Sequence, residues 1–116
     1  MDLETFRAYC LSLKGTSEDT PFGDDALVFK VEGKMFALAD LDAFKSINLK
    51  CDPEKAIELR ETYPAIGPGY HMNKKHWNTV QMNGSISDDL IKTWTLDSYH
   101  LVVKGLSKAV REKLKS

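Results

Sequence analysis

The residues best suited to recognition or chemistry crowd into one stretch, Tyr63 to Met82, which reads YPAIGPGYHMNKKHWNTVQM. Tyr70 to Trp77 sets two aromatic rings, two histidines, Asn73 and the pair Lys74-Lys75 within eight residues, and no acidic residue occurs from Thr62 to Ser87. Lysine ammonium groups with no carboxylate nearby suit phosphate oxygens. Asn73 and His76 can hydrogen-bond to phosphate or to base edges. The rings of Tyr70 and Trp77 offer faces on which bases stack, although a strand tryptophan equally suits a core. Lys34, at a second turn, is a further cation. The candidate nucleic-acid contacts are therefore Lys34, Tyr70, His71, Asn73, Lys74, Lys75, His76 and Trp77; a solvated hairpin tip would use the same residues without any ligand.

Other chemistries fit poorly. His71 and His76, with Cys51 or His100 added, could ligate a metal, but a structural zinc site wants four ligands in tight local pairs. Ser98-Tyr99-His100 is not a triad, because adjacent helical residues point in different directions and no carboxylate partner is specified. It reads more simply as a helix that buries Ser98 and exposes His100. Gly67-Pro68-Gly69 lacks the longer spacing and terminal Gly-Lys-Ser/Thr of a phosphate loop, and permits a turn instead. No nucleophile is paired with a base, so the expectation is no catalytic residue, no metal and no cofactor: a binding protein rather than an enzyme.

Composition bounds the class. With 116 residues, 42% of them hydrophobic and 28% charged, the chain suits one domain, residues 1–116, with a core that needs no staples. No apolar run is long enough to span a membrane, and the acidic, amphipathic N-terminus does not resemble a targeting segment. Cys10 and Cys51 are too few for a disulfide framework and suit reduced thiols in a cytoplasmic protein. The net charge of −1 is unevenly spread: residues 1–40 hold 4 basic and 8 acidic groups, and residues 41–116 hold 12 and 9. Nucleic-acid binding would have to rest on a local patch.

These residues must be positioned by the elements around them. Asp2 caps an amphipathic helix carrying Leu3, Phe6, Cys10 and Leu13, and Gly15 stops it. Thr16 to Gly23 reads as a turn-rich loop. Leu27 to Val31 and Lys34 to Ala39 form a hairpin about Glu32-Gly33, and Lys45 to Lys50 is a third strand. Asp52-Pro53-Glu54 starts a helix that Pro64 ends, with Ile57 and Leu59 expected in the core. Gly67 to His71 and Lys75 to Met82 are strands joined by a turn around Met72 to Lys74. Ser87 caps a long helix that stops near Gly105, followed by a short basic helix carrying Leu106, Val110 and Leu114. The order α-β-β-β-α-β-β-α argues for an α+β two-layer sandwich: one antiparallel sheet of about five strands, helices on one face, the other face relatively open.

Three segments carry a resemblance: PFGDDALVFKVEGKMFAL, NLKCDPEKAIELRETYPAIGPGYHMNKKHWNTVQMNGS and SYHLVVKGL. Together they resemble the MmcQ/YjbR family of small bacterial proteins, from about Thr20 to Leu106. The resemblance implies a two-layer fold similar to that of secretion chaperones. It also implies DNA binding through a "double wing" arrangement, and no catalytic residue. The expected partner is DNA or another nucleic acid, bound weakly by a monomer or weak dimer. The alternative is a protein-interaction module of chaperone-like fold with a protein partner and no nucleic-acid ligand.

Overall fold

A computed structural model describes residues 1–70 and 72–115. The elements run α1 (Leu3–Ser12), β1 (Thr16–Asp19), β2 (Ala26–Val31), β3 (Lys34–Asp40), β4 (Ser46–Lys50), α2 (Pro53–Thr62), β5 (Ile66–Pro68), β6 (Trp77–Gln81), α3 (Asp88–Lys104) and α4 (Lys108–Lys115). The strands form one antiparallel sheet in the order β1-β2-β3-β4-β6-β5. This is the expected α+β two-layer arrangement, with six strands among the described residues.

The helix starts follow the capping chemistry of the sequence. The Asp2 carboxylate accepts the Thr5 N–H at 2.8 Å, Asp52 accepts from Lys55 at 3.4 Å, and the Ser87 hydroxyl accepts from Leu90 at 3.2 Å. Gly105 caps the C-terminus of α3.

Register fixes which side of the sheet is core. Phe29 pairs with Ala37, Ala37 with Leu49, and Leu49 with Asn78, while Ala39, Ile47, Val80 and Ile66 line up one step along. All of these share one face by strand alternation. Phe6 and Cys10 from α1, Leu59 from α2, and Ile91, Trp94, Tyr99 and Val102 from α3 close over it. Phe36 is the extra residue of a bulge: Phe29 pairs with Ala37 but Lys30 with Met35, so Phe36 has no cross-strand partner. Its ring instead meets Tyr99 edge-on at 5.5 Å.

Three expectations need correction. Thr16 to Asp19 is a strand, not a loop. Its polar residues hide the period of a strand, but as an edge strand it pairs Thr16 with Val31 through Asp19 with Val28. It is pinned by the Thr16 hydroxyl donating to Leu13 O at 2.7 Å and by Arg7 pairing with Glu18 at 2.5 Å. Ile57 is 52% exposed, because α2 turns Ala56 and Leu59 inward and leaves Ile57 on its solvent side. Finally, β5 ends at Pro68 and β6 begins only at Trp77, so Lys74 and Lys75 sit in a connecting loop rather than at the tip of long strands.

Candidate nucleic-acid interface

The loop between β5 and β6 is held in shape from three sides. Within it, the Asn73 carbonyl accepts from His76 N–H at 3.2 Å and Trp77 N–H at 3.0 Å. The Asn73 side-chain oxygen takes the Lys75 N–H at 3.0 Å, an Asx turn. From α2, the Arg60 guanidinium reaches across: Nε donates to Asn78 Oδ1 at 2.7 Å, and the terminal nitrogen donates to the carbonyls of Lys74 and Trp77. From the sheet, the Thr79 hydroxyl donates to Asn48 Oδ1 and accepts the Tyr70 N–H at 3.0 Å. Thr79 lies on the face away from the helices, so this bond folds the loop back over that face.

Each predicted site residue other than His71 has a definite place. Trp77 is buried at 9% exposure, and Gly69 packs so closely on its Cβ that any side chain at position 69 would collide with it. By alternation with Asn78 its ring lies on the face away from the helices, beneath the loop, and is too buried to offer a face for a base. Tyr70 is 69% exposed and presents its ring outward. Asn73 has its carbonyl oxygen committed to the turn, and half-buried His76 accepts the Cys51 N–H at its own carbonyl, 2.8 Å away. Lys74 turns its ammonium back toward the Gly69 carbonyl at 3.3 Å. Lys75 and Lys34 are exposed. His71 lies outside the described residues. Among the described residues, no group of three or more His, Cys, Asp or Glu is placed to hold a metal ion.

Topology gathers these lysines. β3 begins, β4 ends and β6 begins at the same end of the sheet, because Ala37 pairs with Leu49 and Lys50 with Trp77. Lys34, Lys50 and the loop of Lys74 and Lys75 therefore share that end. β3 and β6 are separated there only by β4, a span of roughly 10 Å. The basic helix α4 reaches the same end: Lys113 pairs with Glu32 in the β2–β3 turn at 3.8 Å, and Leu114 fills the space beside Gly15. Lys104 and the last turn of α3 also arrive there, since α3 runs from Asp88, held by the Met1 amine at 3.1 Å, down to Ser98 over Lys50. Among the described residues, Lys34, Lys50 and Lys75 have no carboxylate within ion-pair distance.

The opposite end is acidic. Asp40 ends β3 beside Ala26, with Asp24 and Asp25 just before it, and Asp88 and Asp89 open α3 there. Lys45 at that end is neutralised by Asp42 at 3.1 Å. Sequence reasoning missed Lys50, Thr79 and, above all, Arg60. Its position in the last turn of α2 gave no sign that it would anchor a loop beginning nine residues later.

These features define a two-layer α+β protein with helices on one face, a folded-back loop on the other and a basic sheet end. The YjbR family model matches residues 11–101, and the chain belongs to the YjbR family. It is 42% identical over 113 residues to YbdF of Escherichia coli O157:H7, covering 97% of this chain and 93% of that one. It is 30% identical over 115 residues to YjbR of Escherichia coli strain K12, covering 98% of each. Among solved structures, the Deinococcus radiodurans protein DR2400, of domain family DUF419, superposes with a TM-score of 0.90 at 41% identity, covering 98% of this chain and 88% of that one. A Pseudomonas syringae protein gives 0.73 at 33% identity, covering 87% and 98%.

Proposed function

We propose that the protein binds nucleic acid weakly and without strong sequence preference, through the basic end of its sheet. The observation that carries this reading is the convergence of Lys34, Lys50 and Lys75, none in an ion pair among the described residues, on one end, while Asp24, Asp25, Asp40, Asp88 and Asp89 collect at the other. Lys34 and Lys75 take phosphates as point charges, and exposed Tyr70, in the same loop as Lys75, offers a ring for an unpaired base. Asn73 supplies little base discrimination, because its side-chain oxygen is engaged by the Lys75 N–H. Trp77 contributes by rigidifying the loop, not by stacking.

Anisotropy titrations with labelled duplex and single-stranded DNA at low salt test the proposal. Each phosphate contact adds about 0.9 to the slope of log affinity against log salt, so Lys34→Ala with Lys75→Ala should flatten it by about two units for every sequence alike. Lys45→Ala, at the acidic end, should leave the slope unchanged. Absence of binding to either DNA form at micromolar protein would reject the reading in favour of a protein-interaction module.

A further inference from the structure

α3 lies across the sheet at β3 and β4, where Ser98 bonds to Phe36 and Lys50, whereas α2 packs over β5 and β6, where Ala56 receives the Asn78 amide. The two helices therefore leave a gap above the β4–β6 junction. That gap is a cavity of about 380 Å³, walled by Leu49, Leu59, Val80, Trp94 and Leu101. Its volume falls within the roughly 300–1,000 Å³ of small-molecule pockets, and its apolar walls with a few polar groups at the mouth match their usual make-up.

The polar groups at the mouth are unequal. Lys55, in the first turn of α2, and Lys104, in the last turn of α3, both line the cavity, and neither has an ion-pair partner among the described residues. Asp52 also lines it, but its carboxylate is engaged as the α2 N-cap. Asp97 is the one remaining carboxylate of the lining. The N-terminal end of α2 adds partial positive charge at the same mouth. The Asn78 side chain contributes no open donor or acceptor pair, since Arg60 and Ala56 hold its two ends. A ligand here meets an apolar interior and, with Lys50 also in the lining, three lysines against two carboxylates.

We infer that this cavity binds a small amphipathic carboxylate, with its apolar body between Leu59, Trp94 and Leu101 and its carboxylate at Lys55 and Lys104. The inference does not rest on nucleic-acid binding, whose test substitutes Lys34 and Lys75, neither of which lines the cavity.

The test is a heteronuclear NMR titration of the intact protein with octanoate, octanol and octylamine, probes that share one tail and differ in head group. Octanoate should saturate, shift the Trp94 indole and Leu101 resonances first, and bind at least about tenfold more tightly than octylamine. Lys55→Gln with Lys104→Gln should bring octanoate down to the level of octanol. Leu101→Trp, which fills the cavity, should abolish binding while the spectrum stays dispersed. Equal affinity for all three probes, non-saturable shifts, or shifts that map away from Trp94 would each overturn the inference. The comparison of head groups on the unmodified protein decides the matter even where a variant fails to fold.

Discussion

Ser98 offers a sharp test of how the helix layer is locked to the sheet. It is fully buried on α3, and its hydroxyl donates to the Phe36 carbonyl at 2.5 Å while accepting the Lys50 N–H at 2.8 Å. Phe36 sits in the β3 bulge, so no strand neighbour takes its place as partner. Ser98→Ala would strand the buried Phe36 carbonyl and the part-buried Lys50 N–H. Each orphaned buried group costs about 1–3 kcal/mol, so the pair should cost about 3 kcal/mol, and Tm should fall by roughly 10–15 °C. Thr95, one turn earlier and equally buried, is the internal control. Its hydroxyl donates to Ile91 O at 2.7 Å within its own helix, and that carbonyl already serves the helix ladder. Thr95→Val keeps the shape and should cost less than about 1 kcal/mol. Urea denaturation with calorimetry separates the two. A Ser98→Ala loss no larger than that of Thr95→Val would refute the bridging account.

Glu18 is held below its ordinary carboxyl range by the hydrogen bond from Arg7. A carboxylate depressed in the folded state contributes stability above its unfolded pKa, and that contribution is lost as pH falls through the folded value. Glu18→Gln should therefore be slightly less stable than the parent at neutral pH, with the gap closing below about pH 4.5; a gap that widens in acid would contradict the pairing. Burial raises both cysteine thiols above their usual range, Cys10 further than Cys51, with the Asp52 carboxylate adding to the shift at Cys51. Disulfide-exchange reagent at pH 8 should modify half-buried Cys51 slowly and Cys10 only on unfolding; rapid reaction of both in the native state would contradict their placement.

Much of this arrangement is legible in the sequence because local chemistry and tertiary structure agree. Asp2, Asp52 and Ser87 announce their helices, Glu32-Gly33 announces its hairpin, and the placing of Ser98 inward and His100 outward follows from helical period. The misreadings have a common cause. The strand Thr16–Asp19 has no hydrophobic alternation, since it is recruited by backbone pairing and by Arg7 from outside its own window. The bulge at Phe36 leaves no mark beyond a run of apolar residues on both sides. The Tyr70 to Trp77 segment was visible as unusual, but its residues divide by environment: Trp77 inward, Asn73 into its turn, Lys74 back toward Gly69, Lys75 and Tyr70 outward. That division is made by Arg60, on a different element earlier in the chain, and by Thr79 on the strand that follows.

The charge arrangement shows what a net value conceals. Antiparallel strands put successive connections at alternate ends of a sheet, so acidic connections at 20–25 and 40–45 fall at one end, while the other end holds the charge-balanced segments 32–34 and 50–55 and the basic segment 69–76. A net charge of −1 thus conceals two sheet ends of unequal charge. From Lys34 to Asp40 the chain rises about 20 Å, while the Debye length at physiological salt is about 8 Å. A polyanion docked at the basic end should therefore scarcely sense charges at the acidic one. Replacing Asp24 and Asp25 by Lys raises the net charge well above zero but leaves the docking end untouched, whereas Lys34→Ala with Lys75→Ala changes the net charge less and strips that end. On a heparin column at physiological ionic strength, the aspartate variant should elute close to the parent and the lysine variant clearly earlier. The reverse order would mean that total charge governs polyanion binding, and the end-on geometry would have to be abandoned.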